Sequence, residues 1–367
     1  LFLFPEAFHI LESASQLPSF HGGLKEKEKS AIWNFVYKGD TKAISGTRAS
    51  LFLPFNHLSL IVLDFEHSES YTELRKPNYR ALNVAKKLSE LWNIPLILIS
   101  SAPKVETYYK VDDKFVWEEK ENLAPVKIVD IADERRKGRM GLLGPTAMES
   151  LARTLSQNKQ TLLFLNRRGE ASALICRDCG KTFRCETCSS PLTIHKEELR
   201  CHRCGTSREI SASCDSCGNT KLKQLGGGTE SLEKEIKKIF EKAKIVRLDS
   251  ETISSKKKQK EMDLKALAEA DIIIATKMID KPFNLPRLSL SIAVLPDDLL
   301  HFPDFRAAER LMQILTHIRL LNPKNELLIQ TFMPDHKLFK CIEQNKIEDF
   351  YEEELATRKS LTLPPFS

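Results

Sequence analysis

The sequence predicts an α/β protein: two parallel-sheet lobes, the second interrupted by a small cysteine-rich module. Three observations predict it. Short apolar runs with polar C-terminal ends alternate with amphipathic stretches, the pattern of a parallel sheet covered by helices. Eight of the nine cysteines fall between Cys176 and Cys217, as four Cys-x-x-Cys pairs. Beyond that block the strand–helix alternation resumes. The composition agrees, since 41% hydrophobic and 29% charged residues over 367 positions suit a globular chain of two or three domains. No apolar run reaches the ~18 residues of a membrane span, so no membrane partner is expected. The net charge of +6 fits a nucleic-acid partner without requiring one.

The first lobe is expected over residues 1–112, with strands at Leu1 to Phe4, Ala43 to Ser45, Leu60 to Asp64 and Leu96 to Ser100, and a helix from Tyr79 to Trp92. Ligands of such sheets sit at the carboxyl ends of the strands. The candidate positions there are Pro5-Glu6, Gly46-Thr47-Arg48, Asp64-Phe65-Glu66-His67 and Ser100-Ser101-Ala102-Pro103. An apolar strand that delivers Asp64, then Glu66 and His67, fits a Mg-nucleotide site; a solvated strand end carries the same residues. The phosphate-cradling partner, G-x-x-x-x-G-K-[ST], does not occur in this sequence. The chain begins without Met and ends on Pro364-Pro365-Phe366-Ser367, and reads as cut at both ends.

Residues 113–160 read as a linker and the start of the second lobe. Gly138, Gly141 and Gly144 interrupt helix there, and Arg135, Arg136, Lys137 and Arg139 form a solvated charge run or a phosphate contact. The second lobe spans 161–330. Its strands are Thr161 to Asn166, Ile245 to Leu248, Ile272 to Ala275, Ile292 to Leu295 and Leu327 to Thr331. Gly226-Gly227-Gly228 leads into a helix that Thr229 caps, with Leu232, Ile236, Ile239 and Phe240 on one face. That turn either holds a phosphate on backbone N–H groups or is simply tight. Lys256-Lys257-Lys258 with Lys260 reads as a solvated surface turn. Cys341 is a buried apolar filler.

The insertion, 174–222, is the strongest motif. Paired thiolates two residues apart grip one side of a tetrahedral zinc, and Cys176, Cys179, Cys185, Cys188, Cys201, Cys204, Cys214 and Cys217 suffice for two structural Zn(II) ions. Nested pairing is preferred, because Ser189 to Arg200 can form a hairpin that folds Cys201/Cys204 onto Cys185/Cys188. This leaves Cys176/Cys179 with Cys214/Cys217; sequential pairing also remains open. Disulfides and an iron–sulfur cluster are the competing readings, and a reduced cytoplasmic setting favours zinc. His195 and His202 could substitute as ligands, but with eight cysteines present they read as surface groups or as neighbours of the ligands. A closed four-thiolate site leaves no coordination position for chemistry. The block carries seven basic and six acidic residues; two ions and eight thiolates bring it to about −3, the wrong sign for gripping phosphate.

The motifs together resemble a family. Strand–Pro5-Glu6, Gly46-Thr47-Arg48, Asp64 to His67 and Ser100 to Pro103 look like successive motifs of a superfamily 2 helicase. Asn166-Arg167-Arg168-Gly169, the eight cysteines, Gly226 to Glu230, Ala275-Thr276-Lys277-Met278 and Asp304-Phe305-Arg306-Ala307-Ala308-Glu309-Arg310 narrow the likeness to the primosomal replication-restart helicases. The resemblance implies two RecA-like lobes and ATP-dependent 3′→5′ DNA unwinding in the cytoplasm. Forked or single-stranded DNA, primosome proteins and single-strand-binding protein are the implied partners. By motif position, Asp64, Glu66 and His67 serve Mg-ATP, with the His reaching toward the second lobe. Thr47, Arg48, Arg167, Arg168, Thr276 and Lys277 contact DNA, and residues 331–367 begin a C-terminal domain.

The sequence departs from the family at several points. The family's Asp-Glu-Glu-His is Asp64-Phe65-Glu66-His67 here, and Phe65 cannot position a water. The Ser-Ala-Thr motif reads Ser100-Ser101-Ala102. A Lys-Gly pair has become Lys281-Pro282, and Leu320-Leu321-Asn322-Pro323-Lys324 stands where a Gly-Arg-x-Gly-Arg run would place arginines on the γ-phosphate. An arginine finger contributes ~10³–10⁵ in rate. The zinc motif is thus whole and the motor motifs are eroded, so weak or absent ATP hydrolysis is expected. A non-catalytic scaffold that binds DNA or primosome proteins is the alternative reading.

Overall fold

The computed structural model describes residues 1–5, 17–111, 113–115, 123, 125–137, 141–166, 173–176, 183, 185–186, 192–195, 198–201, 205–220, 222–225, 228–248, 265–276, 279, 285–300, 304–322 and 326–367. The chain divides into two compact units, Leu1–Asp112 and Asp113–Ser367. Glu6, Arg139, Arg167, Arg168, Cys179, Cys188, His202, Cys204, Gly226, Gly227, the lysines at 256–260, Lys277, Lys281-Pro282 and Pro323-Lys324 lie outside the described residues.

The first unit is a parallel sheet of short strands: β1 (Phe2–Leu3), β2 (Ser19–Phe20), β3 (Ser45–Gly46), β4 (Ile61–Leu63) and β5 (Leu96–Leu98), in the order β2-β3-β1-β4-β5. Strands of two or three residues hold because their side chains are shared with helices. Leu3, Ile61 and Leu63 pack against Ala81 and Ala85 of α2 (Ala81–Trp92), which follows α1 (Glu26–Tyr37). The expected start of α2 at Tyr79 is displaced by two residues, because Tyr79–Arg80 pairs antiparallel with Thr72–Glu73. Asn93, left-handed at φ 50°, ends the helix, a role its short polar side chain allows.

The second unit has a six-stranded parallel sheet, and its edge strand lies within 113–160, the stretch expected to hold a linker and the start of the second lobe. Its members are β6 (Val126–Asp130), β7 (Gln160–Phe164), β13 (Ile245–Leu248), β14 (Ile272–Ala275), β15 (Leu288–Val294) and β16 (Glu326–Thr331), in the order β13-β14-β7-β15-β16-β6. Every residue of β7 and β14 is buried, as expected for strands covered on both faces. The loose-looking stretch after Val111 is regular where it is described. Asp130 accepts N–H bonds from Ala132 and Asp133 at the start of a short helix, Ile131–Arg136, and Pro145 opens another, Pro145–Ser156. Arg135 lies over the Phe332 ring and Lys137 pairs with Asp133.

Between β7 and the next helix, α6 (Thr229–Ile239), sits a separate antiparallel sheet: β8 (Ala173–Cys176), β9 (Thr193–His195), β10 (Glu198–Arg200), β11 (Ser207–Glu209) and β12 (Leu222–Leu225), ordered β11-β10-β9-β8-β12. Gly228, not Thr229, is the residue preceding α6; Thr229 is its first helical residue and is buried.

After β16, residues 331–367 stay within the second unit. A buried ionic cluster holds them. Arg358, on the helix Ile347–Ser360, donates to Glu309 at 2.6 Å and to Glu354 at 2.9 Å, and its guanidinium lies over the Phe305 ring. The Arg358 and Glu309 side chains are only 1% and 4% exposed, so each is the other's substitute for water. Removing one partner of such a pair typically costs about 3–5 kcal/mol. Arg358→Ala is therefore expected to lower the stability of this unit by about that amount in equilibrium urea unfolding, and Arg358→Met with Glu309→Gln to recover part of it. A loss under about 1 kcal/mol would show that the pair contributes no more than a surface ion pair.

Candidate functional site

At the carboxyl edge of the first sheet, the chain turns sharply after β4. Asp64 N–H still reaches Leu3 O, and Tyr71 Oη donates to both Leu3 O and Asp64 O at 3.0 and 2.7 Å. Phe65 is left-handed at φ 50°, with its N–H on the Asp64 carboxylate at 2.9 Å. Burial raises the Asp64 carboxyl above its ordinary range, opposed by that N–H and by the His67 charge. The same burial, with the charges of Asp64 and Glu66, pushes the Tyr71 phenol up.

Glu66 and His67 take positions the motif alone does not reveal. Glu66 is 1% exposed and both of its carboxylate oxygens are engaged. Oε1 accepts from Lys104 N–H at 2.5 Å and Oε2 from Thr107 Oγ1 at 3.2 Å. It thereby caps the first turn of α3 (Val105–Lys110), where a negative charge meets unsatisfied N–H groups. His67 Nδ1 lies 2.6 Å from Ser100 Oγ, so within this unit it joins the Asp64 turn to the Ser100-Ser101-Ala102 motif. The Phe65 ring leans on the imidazole at 5.8 Å.

Of the residues expected on DNA, Thr47, Arg48 and Thr276 are described. Arg48 donates to Ser70 O at 2.6 Å and to Glu73 at 2.8 Å, which ties its 3₁₀ turn to the loop beyond His67. Thr47 O accepts from Ser50 N–H, closing the same turn. Gly46 before it is required sterically: a Cβ would lie 1.6 Å from Ser50 Oγ and 2.6 Å from Phe20 O. Thr276, following β14, is 1% exposed, so its side chain faces the interior. In this structure Arg48 is held by Ser70 and Glu73, and Thr276 is buried where it follows the end of β14.

The first cysteine of the insertion converges with both thiols of the last knuckle. Cys176, Cys214 and Cys217 place their sulfurs within 4.8 Å of one another, with Cys176 and Cys217 at 3.5 Å. Thiolates around a tetrahedral zinc sit about 3.8 Å apart, given Zn–S of about 2.3 Å, so these three sulfurs fit three corners of one tetrahedral ion. The backbone is shaped for it. Cys214 N–H donates to Asn219 O, Gly218 N–H returns to Cys214 O, and Ser216 N–H points at Cys214 Sγ at 3.4 Å. Cys201 repeats the turn, with its N–H on Thr206 O and Gly205 N–H on Cys201 O. Gly205 and Gly218 have φ of +77° and +68°, which glycine adopts without steric cost. Cys185 and Cys201 are buried in one cluster with Leu174, Phe183, Leu192 and Leu199.

Two residues at the second sheet escaped the sequence reading. Asp297, 3% exposed beyond β15, accepts from Thr331 Oγ1 and from Phe332 N–H; burial raises its carboxyl to about 6. The "PDD" stretch gave no hint which Asp is buried. Arg319 directly precedes the Leu320-Leu321 pair of the run Leu320 to Lys324. It turns inward, donating to Ile342 O at 3.0 Å.

The architecture defines a class: an α/β chain of two parallel-sheet units, the second carrying an inserted antiparallel module with clustered thiols. Similar proteins narrow it. The chain is 33% identical over 368 residues to the replication restart protein PriA of Bacillus subtilis, covering 96% of this chain and 46% of the relative. It is 32% identical to those of Treponema pallidum and Chlamydia muridarum, covering 96% and 98% of this chain and 55% and 50% of theirs. The chain belongs to the PriA replication restart family, and it spans about half the length of the curated relatives it matches. No protein-family model matches it. Solved structures similar to it include RecG bound to a three-way DNA junction (12% identical, TM-score 0.47, 97% of this chain and 40% of that one) and the helicase MrfA bound to DNA and AMPPNP (12%, 0.47, 96% and 44%); these likenesses are too weak to add to the assignment. Among the described residues, no helix is long and apolar enough to cross a membrane.

Asp297 yields a pH prediction. Its folded value, about 6, lies above the ordinary 3.8, so the folded state holds the proton more tightly. Stability from this group is complete below the unfolded value and is lost as pH rises through the folded one. Asp297→Asn is expected to flatten the fall in stability across that window, measured as urea midpoints at several pH values; an unchanged slope would exclude Asp297 as its source.

Proposed function

We propose that this chain is a DNA-binding replication-restart helicase scaffold, held by two structural zinc ions, that hydrolyses ATP weakly or not at all. The observation that carries it is the meeting of Cys176, Cys214 and Cys217 in a module inserted into a parallel-sheet unit. The family membership supports forked or single-stranded DNA as the ligand. Primosome and single-strand-binding proteins, and a cytoplasmic setting, follow from the same reading. The four proposed outer ligands are Cys176, Cys179, Cys214 and Cys217, and the four inner ones Cys185, Cys188, Cys201 and Cys204. When bound, zinc supplies cross-links and no open position for catalysis. What the chain's own residues do is orient the thiols: glycine turns aim them, and the sheet brings the two ends of the insertion together.

Mg-ATP fits these residues poorly. Asp64 is available as a metal-orienting acid, but Phe65 replaces the neighbouring acid and Glu66 is consumed as a helix cap. Leu321 provides no cation at the expected finger position, and Arg319 is turned away. DNA contacts are proposed at Thr47, Arg48, Arg167, Arg168, Thr276 and Lys277. Since Arg48 is held by Glu73, its use would require exchange of that ion pair for a phosphate.

Two measurements test this reading. Elemental analysis of the purified chain is expected to find two zinc ions, and one or none would remove the two-site proposal. A fork-DNA titration is expected to show binding that weakens with salt and does not change with ATP, with no DNA-stimulated ATPase above background. ATP turnover abolished by Asp64→Asn would establish a working motor instead.

A further inference from the structure

Arg208 lies on β11, outside every cysteine pair, yet it touches the neighbours of both proposed metal sites. Its NH2 group is 2.8 Å from Asp215 Oδ2 and its NH1 group 3.5 Å from Glu186 Oε1. Asp215 directly follows Cys214 of the outer set, and Glu186 directly follows Cys185 of the inner set. The Arg208 guanidinium also lies 5.3 Å above the Phe183 ring. Phe183 is packed with Cys185, Cys201 and Leu199, and Leu199 is the residue that Arg208 faces across the β10–β11 ladder. One side chain therefore spans from the inner hydrophobic cluster to the outer knuckle.

We infer that Arg208 is a positioning residue that couples the two knuckle pairs, holding the outer thiols against the inner site. This rests on the zinc reading above. The chemistry suits an arginine. A planar fork reaches two carboxylates in different directions while its face covers an aromatic ring, which a lysine ammonium cannot do. Its single positive charge also lies beside two centres that each become a dianion when four thiolates close on zinc. Losing it frees the Asp215 turn beside Cys214, so the outer set is the one that responds. The Arg208–Asp215 contact carries most of the effect, since Glu186 is 87% exposed and its contact is longer.

The test is zinc release from the full chain to a colorimetric chelator. The phase lost in Cys214→Ser identifies the outer ion. Arg208→Met, close in volume and without charge, is expected to speed release of the outer ion on the order of tenfold, the scale of outer-shell effects on metal affinity, and to leave the inner rate unchanged. Asp215→Asn should reproduce it without adding to it in the double variant, and Arg208→Lys should restore part of it. In the cobalt-substituted protein, Arg208→Met should alter the thiolate-to-metal absorption of the outer site alone. Equal acceleration of both ions, unchanged rates, or additive Arg208 and Asp215 effects would overturn the coupling while leaving the zinc reading intact. A wild-type chain that carries no zinc would overturn both.

Discussion

The cysteine module depends on one backbone pairing. β8, which ends at Cys176, runs antiparallel to β12, with Cys176 opposite Leu222. The chain thus enters and leaves the insertion at adjacent points, and strand β7 can pass to helix α6 as though the intervening residues were a short loop. The same pairing sets the first cysteine beside the last knuckle, so insertion without disturbance of the parallel sheet and closure of the outer thiol set are one geometric event. Among the described residues, the cluster of this small antiparallel sheet holds six buried residues, and small modules usually rely on metal or disulfide cross-links. The glycine turns at 205 and 218 shape the backbone beside Cys201 and Cys214, and Arg208 ties together the residues that follow Cys185 and Cys214.

In the first unit the charged motif has a different organisation. Four hydrogen-bonded links run from one strand end to the next: Tyr71 to β1 and to Asp64, His67 to Ser100, Glu66 to the start of α3, and Arg48 to the loop at Ser70 and Glu73. Buried polar groups must be satisfied, and here each motif satisfies another. A ligand that engages Arg48 or Asp64 has to compete with these contacts, so occupancy at one strand end would be felt at its neighbours. Phe65 is held within this network at a left-handed backbone position that an acid would also have to adopt. A change of side chain at this position therefore alters the chemistry of the turn more than its shape.

The second unit uses its acidic and basic motif as an anchor. Asp304 and Arg310 close on each other at 2.7 Å, Arg306 approaches Glu309 at 3.3 Å, and Arg358 enters from the last helix. A cluster that reads as a functional signature along the sequence is thus also the seat of residues 331–367. Desolvated ion pairs add little net stability over apolar packing, but they tolerate few alternative partners. In this unit they define where the terminal helix sits.

The sequence alone determined the two-sheet α/β class, the strands Ile245–Leu248 and Ile272–Ala275 to the residue, and the cysteine module, because apolar runs of fixed length and paired thiols carry their meaning locally. Among the described thiols, Cys176 meets Cys214 and Cys217 across the insertion. Tertiary structure decided what the charged motif residues touch. Glu66 caps a helix that begins 39 residues later, Arg48 pairs with Glu73 and Arg358 with Glu309 across 49 positions. No local spacing encodes such partners. They follow from which strand ends and helices the fold brings side by side, and from the cost of leaving any buried charge without one.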